Sequence, residues 1–361
     1  MDTEVIKEEM VKKLPVRSGL RVGLRPYVLN VAILAVVFIL SIAIGAVFIP
    51  PLTQIRMLLA HIPGLTVVQN WPETFNTIVY DIRLPHAVLI LLAGSALACS
   101  GAAYQGLFRN PLADPYLIGV ASGAGLAAVI AMTVHWPQTW LGLYAVPGMA
   151  FVGALLTVFI VYALARTGRA APTPTLILAG VAVSSFATSL TSFLMLRSSA
   201  ELRRALAYQL GGALLPGWEP VLAMLPYFLI GVTVLVLSGF TLNVLQFGDE
   251  QAQQMGLAVE RRKLIIILAA SLTTAAAVAF AGIIGFIGLV VPHVIRILWG
   301  ADYRQIMVLS ILAGGSALLV ADIVARTVLA PQVLPVGIIT ALVGAPFFLW
   351  VLRRAKSAGS W

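Results

Sequence analysis

Residues 105–125 read QGLFRNPLADPYLIGVASGAG, and the fold turns on them. Arg109, Asn110, Pro111, Asp114 and Pro115 sit between two long apolar runs, and the second run opens with glycine and small residues. The two prolines fix φ and remove two backbone donors. Each also holds the residue before it, Asn110 and Asp114, in extended geometry. A plain connector between apolar helices could be any short polar loop; this turn is stiff and specified.

Outward from the turn the chain is apolar in both directions. Of 361 residues, 60% are hydrophobic and 10% charged, where a soluble domain carries roughly 25% charged residues. The expected class is an all-α polytopic membrane protein. Ten apolar runs approach the ~20 residues a spanning helix needs, at about 27–49, 84–107, 117–134, 144–165, 175–196, 220–242, 264–281, 284–298, 306–328 and 335–352. They form one transmembrane domain over 27–355, with polar tails at 1–26 and 356–361.

Charge sets the orientation. With the N-terminus inside, the inner segments hold 17 of the 23 Lys/Arg, including Arg109, Arg166, Arg169, Arg261, Arg262, Lys263 and Arg296. The outer segments hold Arg56, Arg83, Arg197, Arg203, Arg204 and Arg326. Ten helices thus satisfy the positive-inside rule with both termini cytoplasmic, and nine would put Arg353, Arg354 and Lys356 outside. The net charge of +9 lies beside apolar segments, so nucleic acid is not an expected partner. Two outer connections are long. Residues 50–83 carry Trp71 and Tyr80 as interfacial anchors. Residues 198–219 contain AELRRALAYQL, which is expected to lie flat on the outer surface as an amphipathic helix ending at Gly211-Gly212.

The missing motifs narrow the chemistry. The five lysines, at 7, 12, 13, 263 and 356, stand outside any glycine loop, so the chain has no P-loop for ATP. It has no H-E-x-x-H, no cysteine pair and no G-x-S-x-G, and Cys99 alone excludes an intrachain disulfide. His61, His86, His135 and His293 are scattered and read as packing residues, so no catalytic group, metal or cofactor is expected. Asp322 and Arg326, four apart on one helix, can pair. Ionisable groups inside apolar runs often mark function, although Arg326 can also snorkel to the interface. So few buried carboxylates disfavour a secondary, ion-coupled transporter. A scaffold or sensor without a path leaves the stiff turn unexplained.

The fifth run is the richest in hydroxyls. Gly180, Ser184, Thr188 and Thr191 share one face, with Ser185 and Ser192 beside it. Such a face fits a close helix contact or a water-filled path. The connection 246–263, QFGDEQAQQMGLAVERRK, is the longest inner one. Asp249 and Glu250 suit the first turn of a short helix, and Gly256 closes it. Such a compact element fits a surface that docks another protein.

These stretches together resemble the FecCD/BtuC permeases, the membrane subunits of type II ABC importers. The resemblance runs over 78–355, through IRLPH, AGSALACSGAAYQGLFRNPLADPYLIGVASGAG, LILAGVAVSS, GDEQAQQMGL, GFIGLVVPHVIR and LPVGIITALVGAPFFLW. It implies a BtuC-like ten-helix subunit in a bacterial inner membrane. It implies a homodimer with the path at its axis, lined largely by the fifth helix. The implied cargo is an iron-siderophore, heme or cobalamin. The implied partners are a dimeric ATP-binding cassette ATPase inside and a substrate-binding protein outside. Inner gates are implied at Asn110 and Leu112 and at Thr173, Pro174 and Thr175. An ATPase-coupling element is implied at Asp249, Glu250, Gln251, Ala252 and Gly256, with Gln251 replacing the usual central alanine. Docking of the binding protein is implied at Arg83 and Arg326, with His86 where IRLPR usually has arginine. A chain of this kind has no engine of its own. Purified alone into vesicles it should move no solute uphill, and uphill transport without an added ATPase would overturn the assignment.

Overall fold

The computed structural model describes residues 23–357 except 46, 61–67, 138, 169–170, 198–200 and 214. Most of both expected tails, with His61 and Arg169, lies outside the described residues. The bundle is organised on one helix, α3, Glu73–Leu107, whose apolar window is 89% buried. Small residues between Ala93 and Gly106 let neighbouring backbones approach it closely. A Cβ on Gly94 would stand 2.3 Å from the Gly314 carbonyl oxygen, and one on Gly101 1.9 Å from that of Gly288. α13 (Tyr303–Thr327) makes the most extensive contact with α3, followed by α11 (Val259–Ala281) and α12 (Ile287–Trp299).

A second group, α4 (Val120–Thr133), α5 (Trp140–Ala165) and α6 (Thr173–Arg197), packs mostly on itself and joins the first through α11. α1 (Arg25–Ala43) leans on α13, α8 (Glu219–Leu237) on α11 and α3, and α14 (Val336–Ser357) on α13. Short helices α2 (Pro51–Ala60), α7 (Leu202–Gln209), α9 (Gly239–Leu245) and α10 (Asp249–Gln254) build the connections. Among the described residues, seven helices are long and apolar enough to cross a membrane, and three apolar helices are shorter. The chain is an all-helical, multi-pass membrane protein.

Three expectations need correction. The connection 50–83 is largely helical: α2 occupies its start, and α3 begins at Glu73 and includes a π-helical stretch, Thr77–Arg83. Polar residues such as Asp81 and Arg83 ended the apolar run without ending the helix. Nor does α7 lie free on the surface. Its Ala205 and Tyr208 face is buried, and the Tyr208 hydroxyl donates to the Val278 carbonyl at 3.0 Å. Third, the runs at 117–134 and 284–298 do not form full-length helices.

α12 begins inside the bundle, because Gly288 lies against Gly101, about 9 Å short of the end of α3 at 1.5 Å per residue. Irregular backbone at that depth is tolerated only where protein pairs its polar groups. Ile283 and Ile284, in the turn 282–286, are paired in this way. Gly282 and Phe286 take φ values of 80° and 68°. The Ile283 N–H donates to the Tyr208 carbonyl at 3.1 Å. The Tyr116 hydroxyl accepts from the Ile284 N–H at 3.2 Å and donates to the Ile284 carbonyl at 2.9 Å. Tyr116→Phe therefore strips both partners from Ile284 at a cost of about 1–3 kcal/mol for each buried group. Thermal unfolding in detergent should show a clearly lowered midpoint, and an unchanged one would remove this role from Tyr116.

Candidate functional site

The turn after α3 is specified by its own backbone. Arg109 takes a left-handed φ of 52°. The Asn110 N–H returns to the Gln105 carbonyl at 3.1 Å, and Asn110 Oδ1 accepts from the Leu112 N–H at 2.9 Å. Asp114, extended as its proline requires, accepts from the Tyr116 N–H at 2.8 Å and opens a 3-10 turn, Pro115–Ile118. The second half of the turn is not a surface connector, since Ala113 and Ile118 are fully buried. It inserts between helices, with Pro115 against Gly288 and Gly119 against Thr157 and Ser184. Thr173, at the start of α6, lines a small gap with Phe108, Tyr162, Lys263 and Ile267. The two expected gate loops thus converge at one end of the bundle. Pro174 and Thr175 are exposed there, and the Thr175 hydroxyl donates to the Pro172 carbonyl at 2.8 Å.

α10 lies at the same end. It follows Gly248, whose φ of 107° and ψ of 160° favour glycine. Its C-terminus is a Schellman motif on Gly256, φ 84°: Leu257 N–H bonds the Ala252 carbonyl at 3.0 Å and Gly256 N–H the Gln253 carbonyl at 2.9 Å. Ala252 is fully buried, while Glu250, Gln251, Gln253 and Gln254 face outward. Asp249 pairs with Lys263 and ties α10 to α11. Phe247 and Met255, 66% and 65% exposed, flank the polar face. Behind it, Asn243 of α9 donates to Asp302 at 2.7 Å and accepts from the Tyr303 N–H at 2.8 Å. The Arg304 guanidinium, helped by Asn243, holds the Asp302 carboxyl down to about 2, against the cost of its partial burial.

The hydroxyl-rich face of α6 divides in two. Gly180 and Thr191 turn inward with Leu176 and Ala187, and a Cβ on Gly180 would sit 2.0 Å from the Leu117 carbonyl oxygen. Ser184 accepts from the Ser122 hydroxyl of α4 at 3.0 Å. Thr188, Ser185, Ser189 and Ser192 are exposed. Spacing grouped Gly180, Ser184, Thr188 and Thr191 correctly around the helix, but packing against α4 and α5 claims one edge of that group. Ser189 went unremarked in the sequence, although it continues the i, i+4 series from Ser185. Only 22% of the apolar window of α6 is buried. Phe186, Phe193 and Leu196 stand 71%, 53% and 87% exposed on it.

At the opposite end, two arginines close the C-terminus of α1. Arg83, 8% exposed, donates to the carbonyls of Ile42 at 2.7 Å and Ala43 at 3.1 Å, and also to that of Val47. Arg326 reaches the carbonyls of Ile44 at 3.2 Å and Ser41 at 3.1 Å. Carbonyls left over at a helix end carry partial negative charge, and cations there are favourable. Asp322 pairs with Arg326 at 2.8 Å, as the four-residue spacing predicted, and also with His86 at 2.9 Å. Arg83, His86 and Arg326 line a cavity of about 420 Å³ whose other walls include Ile78, Leu215 and Val333. His135 lies in a separate pocket, and His293 packs edge-on to Phe347. Among the described residues, no group of three or more His, Cys, Asp or Glu could hold a metal.

Comparison with known proteins places the chain. The profile of the FecCD transport family matches residues 33–354. The chain is 46% identical to the cobalamin import system permease protein BtuC of Halobacterium salinarum, covering 78% of this chain and 75% of that one. It is 40% identical to the hemin transport system permease protein HmuU of Yersinia pestis, covering 78% and 84%. A solved inward-facing structure of a metal-chelate type ABC transporter superposes with a TM-score of 0.76 at 28% identity, over 90% of this chain and 97% of the other.

The arginine cradle makes its own prediction. Arg83→Ala leaves carbonyls at the end of α1 facing an empty site and should cost about 1.5–3 kcal/mol or more, the value of a hydrogen bond to a charged group. Arg83→Lys should recover little, because an ammonium cannot span the same carbonyls as a planar fork. Melting in detergent tests both, and a variant as stable as the parent would show that Arg83 does not anchor α1.

Proposed function

We propose, because this chain belongs to the FecCD transport family and is a permease subunit of an ATP-binding cassette importer, that its cargo is a bulky metal chelate or tetrapyrrole. Iron-siderophores, heme and cobalamin share that chemistry, and the named cargoes of the relatives are cobalamin and hemin. Each subunit crosses a bacterial plasma membrane ten times with both termini cytoplasmic. Two copies pair around the path. The exposed part of the α6 face, with Ser185, Thr188 and Ser192, lines it. Gly180, Ser184 and Thr191 support that helix from behind.

α10 carries this reading: a short glycine-bounded helix with a buried alanine and an outward polar face, held between Phe247 and Met255. It offers Glu250 and Gln251 to a cleft in the ATPase dimer, while Asp249, Ala252 and Gly256 fix its pose. ATP binding and hydrolysis there move α10. The gates at Asn110 and Leu112, and at Thr173, Pro174 and Thr175, then open and close the inner end. On the outside, a substrate-binding protein docks over Arg83, His86 and Arg326 and hands its cargo to the dimer axis, with charge setting the register.

Two variants test the two faces separately. Deleting Gln251–Gly256 should release the ATPase on co-purification. Arg326→Glu, compared with Arg326→Gln so that loss of the contacts to α1 is common to both, should weaken docking of the binding protein about tenfold or more while the ATPase stays bound. Retained ATPase in the first, or unchanged docking in the second, would refute the corresponding face. Absorbance spectra of ligands held by the cognate binding protein then separate heme, corrinoid and ferric siderophore.

A further inference from the structure

The last turn of α3 is where the connection carrying α10 meets the gate turn. Gln246, the residue after α9, donates its side-chain amide to the Gly106 carbonyl at 2.9 Å and to the Leu242 carbonyl at 3.0 Å. The same Gly106 carbonyl accepts from the Arg109 N–H at 3.4 Å. The guanidinium of Arg109 in turn approaches the start of α10. A Cβ on Gly248 would lie 3.4 Å from Arg109 Nη1 and 2.5 Å from Gln251 Oε1. One hydrogen bond therefore bridges the two connections, from Gln246 to the backbone before the turn, and the Arg109 guanidinium lies beside Gly248 at the start of α10.

The seam has no slack. A Cβ on Gly106 would stand 2.7 Å from the Tyr303 ring and 3.0 Å from Leu242. The neighbouring residue, Gln105, is held from the other side. It donates to the Leu289 carbonyl at 3.0 Å and accepts from Arg296 at 3.2 Å. A displacement of α10 that carries Gln246 with it would therefore bear on the final turn of α3 rather than slip past Gly106.

We propose that Gln246 and Arg109 are positioning residues that pass the movement of α10 to the gate turn 109–114 directly, without a relay through α6. This rests on α10 being the ATPase contact. Neither side chain touches cargo or nucleotide; each transmits a displacement.

The test uses the permease assembled with its ATPase in vesicles and a reporter thiol, Leu112→Cys, read with a membrane-impermeant maleimide. The native Cys99 is fully buried and gives little background. In the parent, labelling of the reporter should differ about fivefold or more between nucleotide-free and vanadate-trapped states, the lower range of energetic coupling between sites. Gln246→Glu has nearly the same shape but turns an acceptor toward the Gly106 carbonyl, and Arg109→Ala removes the guanidinium beside Gly248. Each should reduce the difference to less than about twofold, with the ATPase still co-purifying and still hydrolysing ATP. A merely structural role would instead lower the melting point and leave the nucleotide-dependent difference intact. If both variants keep the parental difference, the proposal is wrong. If the parent shows no difference, or no ATPase binds, the reading of α10 fails and takes the proposal with it.

Discussion

Backbone pairing without water governs this structure. A spanning chain can break its helices only where protein supplies the missing partners. Here one phenol does so at the break before α12. The Tyr116 hydroxyl satisfies both polar groups of Ile284, and Tyr116 itself belongs to the proline-stiffened turn after α3. The start of α12 and the turn at 108–119 are therefore one object. The prolines do more than stiffen a loop. They aim a side chain that lets a neighbouring helix begin in mid-bundle. The close approach of Gly101 to Gly288 depends on the same arrangement, because α12 could not start beside α3 with its first peptide unpaired.

Charge is handled by the same economy at both ends. Beyond the end of α1, two guanidiniums take up carbonyls that the helix cannot pair itself, and Asp322 balances one of them while receiving His86. Near that end Asp322 thus joins Arg326 and His86 in one cluster. At the other end, Asp302, Asn243, Arg296 and Gln105 link α9, α12, α13 and α3 into a braced floor beneath α10.

Features set by local spacing were legible in the sequence. The Asp322–Arg326 pair, the helix at 249–254 closed by Gly256 and the extent of α6 all follow from residues within one or two turns of each other. Longer-range features were not. Arg83 meets carbonyls 36 to 41 residues away, Gln246 one 140 residues away, and Tyr116 a peptide 168 residues away. Nothing in the chain near Arg83 says that α1 ends beside it, so its contacts with those carbonyls could not be read from the sequence. Periodicity grouped the hydroxyls of α6 but could not say which edge α4 and α5 would cover. Gly180 and Thr191, which the spacing left open between path and helix contact, are buried within the subunit.

The glycine contacts of α3 also say which parts can move past one another. At Gly94–Gly314 and Gly101–Gly288 only hydrogen separates the backbones, and Leu318 and Ala98 stand next in line to clash. α3, α12 and α13 are therefore keyed together like a stator. The trio α4–α6 contacts that body mainly through α11 and has no comparable keying to α3 or α13. Any movement of the trio relative to the keyed body would therefore carry the serine edge of α6 with it.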